Sequence, residues 1–232
     1  MKVRVKFKKY GVMKFIGHLD VMRYFQKALR RADIPVAFTK GFSPHMVMSF
    51  ANPLGVGLTS DGEYFDLEIT RPLSTKEAVK RLNEVMVEGM EVLDFVEISG
   101  DKKSTGMSIV AAADYLVTDK DGKMDDAFFD GLSRFTEQEK INVMKKTKRS
   151  EKEMDIRPLI YEMKRQGNAM YMRVSAGSVS NLKPELVMET YTSFLGLSSK
   201  EFRFVLHRLD NYARAEDGAL VPLNALGKVI EG

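Results

Sequence analysis

Cysteine and tryptophan are absent from this 232-residue chain, and histidine occurs only three times. Without cysteine the chain forms no disulfide, offers no thiolate nucleophile and holds neither Cys-ligated zinc nor an iron–sulfur cluster. No apolar run approaches the roughly 18 residues that a bilayer span needs. The start, Met1-Lys2-Val3-Arg4-Val5, has no apolar signal core behind its charges, so a cytoplasmic protein without membrane contact is expected. What is present is the composition of a globular protein, 44% hydrophobic and 29% charged.

Charge is the second feature. The formal net charge is only +4, yet residues 1–50 hold 11 Lys and Arg against 2 Asp and Glu, a net of +9. Residues 51–100 come to −6, 101–139 to −4, 140–165 to +5 and 166–232 to zero. Two basic blocks set among acidic stretches predict polyanion binding by local surfaces rather than by global charge.

Periodicity supplies the fold. Lys2 to Lys8 alternates, with Val3, Val5 and Phe7 on one side and Lys2, Arg4, Lys6 and Lys8 on the other, which predicts a strand with one buried face. From His18 to Ala32 the apolar steps of three and four residues predict a helix, with Arg23, Lys27 and Arg30 opposite. Strands are expected at 36–40, 46–50 and 64–70. Ser74 and Glu77 form a capping box that opens a second helix, and a strand follows at 91–99. The second half repeats the order more loosely: strand 109–118, helix 125–135, strand 140–148, a short helical piece 156–164, strand 169–175, helix 184–195 and strand 203–212. The fold class expected is α+β, with two tandem ferredoxin-like (split βαβ) domains and antiparallel sheets. Their bounds are 1–100 and 107–212, with a polar interruption at 100–106 and a C-terminal tail at 213–232.

A ferredoxin-like sheet covers one face with helices, so Lys2, Arg4, Lys6 and Lys8 are placed on an open platform, where they would neutralise phosphates. Alternating lysines also protect edge strands, so a solvated face fits the same residues. Lys14, Arg23, Lys27, Arg30, Arg31 and Lys40 extend the basic surface, and Phe42 or Tyr10 offers a ring to an unpaired base. The second block, Lys145-Lys146-Thr147-Lys148-Arg149, falls at a predicted hairpin, where a basic loop clamps a nucleic-acid strand or is merely a solvated turn. His18, Asp20, His45, Glu63 and Asp66 are the residues that could in principle form a metal site, but a capping or hydrogen-bonding histidine suits this pattern better, and neither a metal nor a cofactor is expected. Gly55-x-Gly57 with Gly62 completes no phosphate-binding or dinucleotide motif and reads as hairpin geometry. His207, alone in an apolar strand, reads as a core residue.

The block Lys14-Phe15-Ile16-Gly17-His18-Leu19-Asp20, followed by Arg30-Arg31-Ala32-Asp33-Ile34-Pro35, Gly41-Phe42-Ser43-Pro44-His45 and Gly62-Glu63-Tyr64-Phe65-Asp66, resembles the radical SAM-linked protein family. Lys148-Arg149-x-Glu151-Lys152-Glu153 is a second anchor, whereas Met46 and Val47 stand where that family has Pro and often a basic residue. The resemblance implies a partner, a radical SAM enzyme encoded nearby, and no established activity. A chain without cysteine leaves the initiating cluster to that partner. The function expected is therefore a non-catalytic RNA-binding accessory that presents tRNA or rRNA to the enzyme. The alternatives are a metal-independent endoribonuclease, with His18 as acid or base and Lys14 as charge stabiliser, and a protein-interaction scaffold without RNA.

Overall fold

The computed structural model describes residues 1–146 and 151–232. The chain is α+β. In the first half β1 (Lys2–Lys9) leads through a 3-10 turn (Gly11–Phe15) to α1 (His18–Arg31), then to β2 (Met48–Phe50), β3 (Thr59–Glu68), α2 (Thr75–Val85) and β4 (Met90–Ile98). A 3-10 turn at Lys102–Ser104 and the short α3 (Gly106–Ile109) precede β5 (Val110–Asp119), α4 (Asp126–Phe129) and α5 (Leu132–Thr136). There follow β6 (Asn142–Lys146), β7 (Glu151–Asp155), β8 (Ile160–Gln166), β9 (Ala169–Ser175), α6 (Pro184–Phe194) and β10 (Phe204–Arg214). The chain continues through β11 (Leu220–Pro222), a 3-10 turn (Leu223–Leu226) and β12 (Lys228–Val229).

Antiparallel pairing orders the first half β4-β1-β3-β2 and the second β10-β5-β9-β8. The two fuse into one ten-stranded sheet through a parallel pairing of β3 with β10, which lasts only two register pairs, His207 with Thr59 and Arg208 with Ser60. At this seam Gly62 admits the neighbouring strand: a Cβ there would lie 2.7 Å from the Asp210 Cα. The glycine expected to serve a hairpin is thus a close-approach residue.

The amphipathic stripes form helices because they have something to bury. Val21, Phe25, Ala28 and Leu29 of α1 pack on the sheet, where Phe7, Phe25, Phe50 and Phe65 form an aromatic cluster with centroids 4.6–6.3 Å apart. Ser74 caps α2 by accepting from the Glu77 amide at 3.3 Å. In the second half Phe128, Phe135, Met170, Val187 and Tyr191 make the corresponding core.

Several expectations need correction. Residues 36–40 contribute two isolated bridges, Val36 with Ile69 and Phe38 with Met46, rather than a strand. The expected helix at 125–135 is two short ones, broken at Asp130 and Gly131. The expected helical piece at 156–164 is a 3-10 turn followed by β8: Pro158 lies in the turn, and the chain beyond it pairs with β9. The segment after 213 is no tail, because β10 runs on to Arg214, β11 pairs with it, β12 pairs with β4 and Leu223 is wholly buried.

Candidate nucleic-acid interface

The outer face of α1 is a basic stripe. Arg23, Lys27 and Arg30 recur at four- and three-residue steps opposite the buried Val21, Phe25 and Leu29, and all three are exposed. Asp20 meets Arg23 at 3.5 Å across exposed surface, a contact worth little. Among the described residues no acid pairs with Lys27, Arg30 or Lys40. Arg31 turns away and donates to the Val85 carbonyl at 3.2 Å.

Beyond α1 the segment 38–46 projects as a loop. The Thr39 amide donates to the His45 carbonyl at 2.9 Å, and the His45 amide donates to Thr39 Oγ1 at 3.1 Å. Gly41 takes φ +114°, a left-handed conformation that suits glycine. His45 thus closes the loop, while Lys40, Ser43 and Pro44 are exposed and Phe42 stands wholly free at the tip. A ring and a cation held there are suited to an unpaired base and its phosphate.

The expected platform on β1 is not open. Arg4 is 1% exposed and lies directly across from Asp66, donating from Nε at 2.7 Å and from Nη2 at 3.1 Å. It also donates to the carbonyls of Ser104 and Leu223, at 2.9 and 3.1 Å, and Asp66 accepts from the Gly106 amide at 2.6 Å. Lys6 is bound to Asp210 at 2.6 Å, and Tyr64 donates to the same carboxylate, also at 2.6 Å. The segment 102–106 and the turn at Leu223 cover the face that helices leave free. Arg4 and Lys6 are therefore structural, and burial of their acids explains why: an unpaired charge there costs several kcal/mol.

Glu63 is likewise spent. It stands opposite Phe7 in the register, on the side of the sheet that faces α1, and receives Arg208 Nη1 at 2.9 and 3.1 Å. Arg208 also donates to the Tyr115 hydroxyl and to the Asn52 carbonyl. Lys9 follows Val3, Val5 and Phe7 in phase and is buried, donating to the Ile16 carbonyl at 3.1 Å. Desolvation holds the Lys9 ammonium below the usual lysine range, and burial pushes the Glu63 carboxyl up against the pull of Arg208. His18 shares a small cavity with Lys9 and Glu63, packs edge-on to Phe50 at 5.0 Å and is lowered by desolvation. Lys14 lies 5.1 Å above the Phe15 ring. His18, Asp20, His45, Glu63 and Asp66 do not come together as a metal site, and among the described residues no group of three or more His, Asp or Glu is placed to hold a metal ion.

The model of a family described as an uncharacterized protein conserved in bacteria (DUF2344) matches residues 2–184. The chain belongs to that family. No curated protein matches this DUF2344 chain. Among solved structures it is similar to a chain in the crystal structure of a Cbf5-Nop10-Gar1 complex, with 11% identity and a TM-score of 0.48; the likeness covers 97% of this chain and 61% of that one.

In the DUF2344 chain Lys145 and Lys146 of the second basic block lie on a separate two-stranded sheet, β6 with β7. Lys145 and Lys146 pair in register with Lys152 and Glu151, while Lys148 and Arg149 lie outside the described residues. His207 is only partly buried and bridges the seam, its Nδ1 2.8 Å from Thr59 Oγ1 and its Nε2 3.0 Å from Asp61. Among the described residues no helix is long and apolar enough to cross a membrane. Three residues of the seam, Lys9, Arg208 and Asp210, escaped the sequence reading. Only Lys9 left a signal, as the one charge in phase with Val3, Val5 and Phe7.

Proposed function

We propose that this DUF2344 chain is a non-catalytic RNA-binding protein that holds an RNA for a partner enzyme, with each half a ferredoxin-like unit as the repeated strand order suggests. The observation that carries the reading is the stripe Arg23, Lys27 and Arg30. The sheet cations Arg4 and Lys6 are consumed by buried acids, whereas these three project from α1. Phosphate neutralisation by such a stripe holds a backbone without reading its sequence, and Phe42 adds a stacking surface for an unpaired base. The partner implied by the family resemblance is a radical SAM enzyme, with which the absence of cysteine, and so of a cluster in this chain, agrees.

The test is binding to a stem-loop RNA at two salt concentrations. Three phosphate contacts on a single strand give a log–log slope of about −2, hence roughly a 20-fold loss between about 50 and 200 mM salt. The variant Arg23→Glu/Lys27→Glu/Arg30→Glu is expected to flatten that slope and keep the wild-type melting temperature. An absent low-salt affinity, or a triple variant that binds like wild type, rejects the reading. Intact RNA after incubation with the wild-type protein separates it from an endoribonuclease built on His18 and Lys14.

A further inference from the structure

Four large apolar side chains stand out of the molecule together. Val12 is 74% exposed, Phe15 67%, Leu19 58% and Val56 60%. They come from three segments fixed to one another: the 3-10 turn after β1, the first turn of α1 and the loop that precedes β3. The Gly57 amide donates to the Lys14 carbonyl at 2.7 Å, and the Val56 methyl lies 3.8 Å from where a Cβ on Gly17 would sit. Leu19 continues, one turn earlier, the stripe that carries Arg23, Lys27 and Arg30. Four exposed apolar side chains on segments bonded to one another mark an interaction surface.

We propose that this face docks a partner protein through an apolar segment bearing a carboxylate that meets Lys14. Three of the four side chains are aliphatic and offer an RNA base neither a π-face nor a hydrogen bond, so RNA does not suit the patch. Lys14, in the same 3-10 turn as Val12 and Phe15, places its ammonium 5.1 Å above the Phe15 ring, while Asp20 and Arg23 on α1 pair with each other. A second copy related by a two-fold axis would set Lys14 near Lys14, a like-charge contact that disfavours self-association. An acidic, apolar partner satisfies both features. This deepens the RNA-presenting reading by giving the enzyme a place beside the basic stripe, on the same helix.

The experiment places a photo-crosslinking p-benzoylphenylalanine at Val12 in cells that make the full chain, and maps adducts by mass spectrometry after nuclease treatment. The expected result is a nuclease-resistant protein adduct whose crosslinked peptide is apolar and contains Asp or Glu. It falls at least tenfold with Lys14→Glu and with Phe15→Asp, persists with Arg30→Glu, and returns when Lys14→Glu is combined with a Lys at the mapped carboxylate. Should Phe15→Asp melt below wild type, Leu19→Lys is read in its place. An adduct that is RNA, an adduct to a second copy, no adduct, or a protein adduct indifferent to Lys14→Glu overturns the proposal. The two readings fail separately: purified protein binding RNA normally with Phe15→Asp leaves the phosphate stripe standing whatever the crosslink shows.

Discussion

The variant Asp66→Ala distinguishes a buried β1 from a basic platform. In the structure Asp66 receives two bonds from Arg4, at 2.7 and 3.1 Å, and one from the Gly106 amide, at 2.6 Å. Removing it strands a guanidinium that is 1% exposed and an amide that loses its acceptor. Breaking such a buried pair from one side costs about 3–5 kcal/mol, whereas an exposed pair is worth about 0–1 kcal/mol. At roughly 2–4 °C per kcal/mol for a chain of this size, the melting temperature falls by about 6–20 °C. Urea unfolding of Asp66→Ala, Arg4→Met and the double variant Arg4→Met/Asp66→Ala completes a cycle. The double variant is expected to be less destabilised than the sum of the singles by about 2 kcal/mol or more, because neither charge is left alone. A loss below about 1 kcal/mol in Asp66→Ala, or an Arg4→Met that keeps its stability but loses RNA affinity, refutes the burial and returns Arg4 to the surface.

Two further outcomes follow from the seam and the chain's last strands. Lys9 is lowered in the folded protein, so between its folded value and the ordinary lysine range the unfolded chain binds more protons and stability rises with pH; Glu63, which is raised, acts in the opposite sense at lower pH. Lys9→Met is expected to raise the urea midpoint at neutral pH and to flatten the alkaline rise, and an unchanged pH profile counts against the desolvated amine. Leu223→Ala, at a side chain with no exposed surface, is expected to cost about 2–5 kcal/mol, while a tail at that position would lose almost nothing in the same melt.

Local patterning made much of the fold legible. β1, α1, α2, β9 and α6 fall within a residue or two of the periodic runs that predict them, because each buries a face whose period is visible in the chain. What escaped is set by distant partners. Ile156, Leu159, Ile160 and Met163 recur at helical steps, yet residues 160–166 pair with β9 along an edge. The alternation of Lys2 to Lys8 shows that two faces differ but says nothing of what covers the polar one; that depends on Ser104 and Leu223. The same limit applies to the site. The exposed stripe on α1 reads directly from helical spacing. Glu63 and Asp66 stand out within the quoted block, but their use as counter-ions for Arg208 and Arg4 needs residues up to 145 positions away.

The bond from Arg4 to the Leu223 carbonyl joins residues 219 positions apart. During synthesis the first half emerges with β1 and β3 able to pair, but the lid over Arg4 and Asp66 does not yet exist. Ser104 and Gly106 supply part of that cover early, but until the turn at Leu223 is made the pair lacks the rest, and β4 still lacks its partner β12. The seam strand β10 is itself completed only shortly before that turn. The N-terminal half thus reaches its final stability only after β12 has been made, so its folding is slow relative to a helix bundle of equal length and exposed to misassociation while it waits.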